Sequence, residues 1–291
     1  MNRRSFMLAG VGLAAPAWAA QHRFQQGLLW RVEKKDVAPS HVYGTIHVAD
    51  ARLDELPAPV RASFDAAKSL MLEFVPDPYA RERFLEAAMF LDKQTLEEKI
   101  GPADFARAVE YLAPIGLPRE TINKLKPWGV LLNLRNPKRP EQGSPLDGRL
   151  LELARARRMP LSQIEGVEEQ IFTFDEFPME SQVALLKHSL AHHDELAELA
   201  DRTLDAYLAR DLARIWRLRE AFIARHPQIA AHQAVMTKRV IYDRSVVMAF
   251  RMQRQLRRGD AFVALGALHL YGEKGVLALL EEDGYRAVKV F

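Results

Sequence analysis

A tetrapeptide pattern occurs twice in this chain, near opposite ends: Gly44-Thr45-Ile46-His47 and Gly266-Ala267-Leu268-His269. Each copy closes a strand-like apolar run and precedes a helix-like segment. His41-Val42-Tyr43 leads into the first copy, Leu56 to Leu70 follows as an amphipathic stretch, and Leu70 to Val75 forms a second apolar run. Ala261 to Leu265 leads into the second copy, Glu273 to Glu282 follows, and Tyr285 to Phe291 closes the unit. Both regions read as strand, GxxH loop, helix, strand. The expected fold class is therefore α/β, with a central, mostly parallel sheet built from terminal βαβ units. Ligands of such sheets sit at the carboxyl ends of the strands, where both histidines would lie. Gly44 and Gly266 would let the backbone turn sharply and approach a ligand closely.

The stretch between the two units is helical in pattern. Pro78 to Lys99, Pro102 to Leu112 and Ser181 to Ile223 carry apolar residues at three and four spacing. The Pro and Gly cluster from Asn136 to Gly148 reads as a loop. After it, Leu146 to Arg158 reads as a helix with Asp147 as N-cap, and Met159 to Ile164 as a short strand ending in Glu165. With 48% hydrophobic residues in 291, one sizeable core is possible. The expectation is a single domain over 20–291, with a helical insertion at about 78–135 and 171–255.

Residues 1–19 read as an export signal. Arg3 and Arg4 form a positive start, Phe6 to Ala15 is a short apolar run, and Ala17-Trp18-Ala19 offers small residues for cleavage. Asn2-Arg3-Arg4-Ser5-Phe6-Met7 resembles a twin-arginine signal. The apolar run is too short for a stable bilayer span, so a periplasmic or secreted protein with no membrane span after cleavage is expected. The formal net charge of +3 includes Arg3 and Arg4; without them the balance is nearly neutral, which gives no reason to expect nucleic acid as a partner. The absence of cysteine excludes disulfides, thiolate metal sites and a Cys nucleophile.

Four polar residues fall at or just past the ends of strand-like runs: His47, Glu73, Glu165 and His269. Glu73 interrupts an apolar run, so its carboxylate must be paired, hold a cation, or face a cleft. Two imidazoles and two carboxylates on one sheet edge suit a divalent transition metal such as Mn, Fe, Co or Zn, with positions open for water. Such a metal lowers the pKa of its water from 15.7 toward about 7 while a carboxylate accepts the proton. Plainer roles compete with this chemistry: a histidine after a strand is commonly a hydrogen-bonded loop residue, Glu73 fits an ion pair with an arginine, and Glu165 fits capping of a helix N-terminus. His188 and His192 share the i, i+4 spacing of a zinc-protease helix, but Ser189 stands where that motif needs Glu. That pair reads as an exposed helix face.

These residues carry a family resemblance. Gly44-Thr45-Ile46-His47-Val48, Leu56-Pro57 and Leu72-Glu73 resemble the opening signature of the TraB/GumN family. Asp147 to Leu151, Ile164-Glu165 with Gln170, and Phe262 to Leu270 with Gly272 and Gly284-Tyr285 resemble its later ones. Arg244 matches a family position, while Ser245 stands where the family usually has Asn, and Gly166 where Thr is common. The family is similar to the Tiki proteins, metal-dependent proteases, and more distantly to erythromycin esterases and haem-binding ChaN-like lipoproteins. The resemblance implies His47, Glu73 and His269 as metal ligands and Glu73, Glu165 and Arg244 as catalytic residues, with Arg244 orienting a carboxylate or stabilising an oxyanion.

Three functions are compatible with this reading. The favoured one is a metal-dependent hydrolase acting on peptides or another small or polymeric envelope substrate. The others are a metal-free, esterase-like hydrolase and a binding protein for haem or a cell-envelope polymer.

Overall fold

The computed structural model describes residues 23–134 and 144–291; the export signal at 1–19 and most of the loop read from Asn136 lie outside them. Six strands form one sheet: β1 (Leu29–Lys34), β2 (Val37–Thr45), β3 (Ser69–Leu72), β4 (Leu161–Gln163), β5 (Ala261–Gly266) and β6 (Arg286–Lys289), in the order β4-β3-β5-β2-β1-β6. The four strands β4, β3, β5 and β2 run parallel, and β1 is antiparallel to both its neighbours. This is the mostly parallel α/β sheet expected. The second unit closes differently from the first: β6 pairs with β1, so its crossover passes beyond β2 and β1 before rejoining the sheet.

Central position explains the composition of β5. Every residue of Ala261–Gly266 is buried, as a parallel strand covered on both faces requires. Phe262, fully buried, packs against Tyr43 and meets Phe64 edge-on with ring centroids 5.5 Å apart. Phe64 comes from the Ala58–Ala66 helix that links β2 to β3.

Two of the expected long helices are broken, each for a local reason. Pro78 to Lys99 divides into Pro78–Ala87 and Leu96–Ile100, the second begun by a capping box in which Thr95 and Glu98 satisfy each other's backbone. Ser181 to Ile223 divides into Met179–Ala191, His193–Leu208 and Leu212–Arg225. Arg210 lies at φ 60°, and Asp211 starts the last helix by accepting from the Arg214 amide. A separate apolar cluster, including Leu96, Phe105, Leu112, Trp128 and Leu186, fills the helical middle. Leu204, Ile215, Met248 and Met252 instead join the sheet core. Among the described residues, no helix is long and apolar enough to cross a membrane.

Candidate functional site

The topology delivers four polar residues to one edge in sheet order. β4, β3, β5 and β2 are consecutive neighbours, and their carboxyl ends lead into Glu165, Glu73, His269 and His47 respectively. Backbone pairing continues past the strands and pins two of them. The Glu73 amide donates to the Ala264 carbonyl at 3.0 Å, and the Glu165 amide donates to the Glu73 carbonyl at 3.0 Å.

The two carboxylates are buried, Glu73 at 7% exposure and Glu165 at 4%, and they share one guanidinium. Arg244 Nη2 donates to Glu73 Oε1 and, at 2.6 Å, to Glu165 Oε2; its Nε donates to both Glu165 oxygens at 3.1 Å, and its Nη1 to the Val240 carbonyl at 3.3 Å. The other Glu73 oxygen, Oε2, accepts from the Gly266 amide at 3.1 Å. Burial raises the Glu73 pKa, but the charges of Arg244, His269 and His47 outweigh it and bring the group down to about 2. Gln170 donates to Glu165 at 3.1 Å. Helix capping at this point falls to Glu169, which accepts from the Gly166 amide at 2.8 Å, so Glu165 is free for Arg244.

Each histidine is fixed through its Nδ1. His47 Nδ1 lies 3.1 Å from Asp147 Oδ2, and Thr45 donates to the other Asp147 oxygen at 2.9 Å. Desolvation disfavours the charged His47 ring, yet the Asp147 bond and charge, with Glu73, raise it to about 9. Asp147 is not the N-cap expected from sequence: Pro145 holds that position, and the Asp147 carboxylate turns to the GxxH loop. His269 Nδ1 lies 2.9 Å from the buried Ser245 hydroxyl, so the residue standing where Asn is usual still contacts the ring. Desolvation dominates at His269, with Arg244 and His47 adding to it against Glu73, and lowers it to about 4.

The two glycines act by leaving space rather than by unusual backbone. Gly266 has φ −54°, open to any residue. A Cβ placed there would stand 3.4 Å from His269 Cδ2, 3.5 Å from Glu73 Oε2 and 3.6 Å from His47 Nε2, so three of the expected ligands gather around one point. A Cβ on Gly44 would come within 2.6 Å of Leu270 Cδ1. Tyr207 donates to the Gly44 carbonyl at 2.7 Å, tying the His193–Leu208 helix to the loop.

Over this point lies a cavity of about 390 Å³. His47, Glu73, Arg244, Gly266 and His269 line its floor, and Ile215, Met236, Val240, Ile241 and Leu268 give it apolar walls. Glu165 is not among the lining residues; it stands behind Arg244. A π-helical turn, Lys238–Asp243, immediately precedes Arg244, and such turns recur at functional sites.

The expected ligands are not drawn to metal-binding distance of one another. Among the described residues, the trio whose donor atoms all lie within 4.8 Å of each other is His188, His192 and His226. His188 is 8% exposed, which corrects its reading as part of an exposed helix face.

The fold is that of an α/β protein with a cleft at the carboxyl edge of a mostly parallel sheet. Comparison with known proteins gives the class a family: residues 28–289 match the model of the TraB/PrgY/gumN family, to which the chain belongs. It is 23% identical to metalloprotease TIKI2 of Danio rerio, over 88% of this chain and 60% of that protein. It is 25% identical to the uncharacterized protein YbaP of Shigella flexneri and 24% identical to YbaP of Escherichia coli K12, each over 87% of the relative and over 83% and 82% of this chain. The chain thus spans about three fifths of TIKI2, under two thirds of its length, but most of YbaP. No solved structure matches it.

Proposed function

We propose that this protein is an exported metal-dependent hydrolase, suited to peptides, working in the cleft at the strand ends. The observation that carries the reading is the gathering of His47, Glu73 and His269 around the empty side of Gly266. Their imidazole and carboxylate donors suit Mn, Fe, Co or Zn. Asp147 and Ser245 hold the far nitrogen of each ring, as partners of metal-binding histidines do. His47, Glu73 and His269 would hold the ion, which when bound polarises a scissile carbonyl and acidifies water. The similarity to a protein named a metalloprotease supports the same reading.

The chain's own residues supply the rest. Arg244 has a protein partner at each of its three nitrogens, so it holds the Glu73 carboxylate in position rather than stabilising an oxyanion, with Glu165 anchoring it from behind. Glu73 Oε2 faces the point above Gly266. Arg244 keeps the Glu73 carboxylate ionised, ready to face a cation above Gly266. The apolar walls suit a substrate with an apolar side chain beside the scissile bond and shed water from the cleft. The N-terminal signal pattern supports a periplasmic or secreted location.

The test is elemental mass spectrometry of protein purified without affinity-tag metal, alongside peptide hydrolysis. His47→Ala and His269→Ala should each lose the same metal equivalent and the activity. Undiminished hydrolysis by His47→Ala would sink the proposal. A second reading, metal-free hydrolysis, draws on Arg244 already balancing the charge of Glu73; activity that survives chelation would favour it.

A further inference from the structure

A second set of donors lies in the helical middle, away from the cleft. His188 and His192 are one turn apart at the end of the Met179–Ala191 helix, and His226 follows the Leu212–Arg225 helix. Their ring centroids are 4.3 to 4.6 Å apart, and their donor atoms lie within 4.8 Å of one another. His226 Nε2 lies 2.9 Å from Glu195 Oε2, and His192 Nδ1 lies 3.7 Å from the same oxygen. Arg225 Nη2 donates to the other Glu195 oxygen at 2.7 Å.

Two independent features point to a cation here. The buried His188 Nε2 has no hydrogen-bond partner, although buried ring nitrogens are ordinarily satisfied. Phe177, Leu185, Phe222 and Ile229 form the apolar cluster of this region, and Phe222 packs on the His188 ring; their side chains offer that nitrogen no acceptor or donor. In addition, two helices end at the cluster, at His192 and His226, and helix C-termini carry partial negative charge that favours cations.

We propose that His188, His192 and His226 form a divalent metal site, best suited to zinc, with Glu195 at its open edge. Three imidazoles beside a carboxylate match the donors of tetrahedral zinc, with Zn–N bonds of about 2.0–2.1 Å. Binding requires the rings to draw together slightly from their present spread and gives His188 Nε2 a partner. His192 and Glu195 are partly exposed and open the site to solvent. The ion would join three helices: Met179–Ala191, His193–Leu208 through Glu195, and Leu212–Arg225. Its role is structural, and it is independent of the cleft, whose cavity none of the three histidines lines.

Cobalt(II) absorption and zinc-dependent thermal melting of the full chain, purified without an affinity tag and freed of metal, test the site. The His47→Ala/His269→Ala double variant should keep the visible bands of tetrahedral cobalt and the rise in Tm with zinc. Adding His188→Leu to that double variant should lose both, with affinity down at least tenfold, while melting no lower than the double variant without metal, since Leu removes an unpartnered nitrogen. If His188→Leu does not fold, His192→Gln near the surface decides by the same two readouts. The site is overturned if the cleft double variant binds neither ion, or if adding His188→Leu or His192→Gln to it leaves binding unchanged.

Discussion

In the cleft, every expected ligand residue is oriented by a protein partner: Glu73 by Arg244 and the Gly266 amide, His47 by Asp147, and His269 by Ser245. In the helical cluster, three imidazoles crowd within 4.8 Å, and one buried nitrogen has no partner. The cleft donors are aimed but spread out, beside an open cavity; the cluster donors are close but lie apart from it. Proximity of ligands therefore marks where an ion would be held for stability. Oriented ligands around an open volume mark where an ion would meet a substrate.

The largest effect expected from breaking this contrast lies in Arg244. Replacing it by Leu leaves Glu73 and Glu165 buried without their counter-charge, a change that costs about 3–5 kcal/mol. Chemical denaturation of Arg244→Leu measures it. A loss below about 1 kcal/mol, the range of exposed pairs, would mean the carboxylates are solvated and the cleft floor is not the closed network described.

Gly266→Ala sharpens the contrast at smaller cost to the fold. The backbone angle is ordinary and the added Cβ meets its neighbours at 3.4–3.6 Å, normal contact distances, so stability should stay within about 0.5 kcal/mol of the parent. The methyl group nonetheless fills the point around which His47, Glu73 and His269 gather. Metal at the cleft and peptide hydrolysis should fall together while the helical cluster binds zinc unchanged. Parent-like hydrolysis in Gly266→Ala would mean the reacting atoms lie elsewhere.

The strand-exit residues are legible in the sequence because apolar strand runs that end in His or Glu carry their own punctuation, and β2, β3, β4 and β5 each end one to three residues before one. β1 is not picked out: Leu28, Leu29 and Trp30 are buried in succession, and exposed Arg31 before buried Val32 is the whole of its alternation, too little to mark a strand by period. A strand that short gains its meaning from pairing with β6, more than two hundred residues away. Asp147 misleads because its position near a helix start suggests capping, whereas its partner His47 lies 100 residues earlier. His226 cannot be joined to His188 and His192 from spacing, since it comes from another helix that only packing brings near. Local pattern reveals what a strand delivers to an edge; partners across the fold are not written in it.

The smallest expected effect concerns that Asp147 partnership. His47 is raised to about 9 in the folded, metal-free protein, above its ordinary value near 6.5. The folded state therefore holds this proton more tightly than the unfolded chain. The resulting stabilisation is complete below about pH 6.5 and disappears as pH rises through 9. Because 61% of the His47 side chain is open to solvent, which screens the ion pair to under about 1 kcal/mol, the His47 titration in solution should stay nearer 6.5 than 9. Asp147→Asn should remove the stabilisation, returning the His47 titration toward 6.5 in imidazole NMR and flattening stability between pH 6.5 and 9. A His47 resonance in that variant still titrating where the parent's does would assign the shift to Glu73 instead. The fixed orientation that separates the cleft from the cluster would then not depend on Asp147.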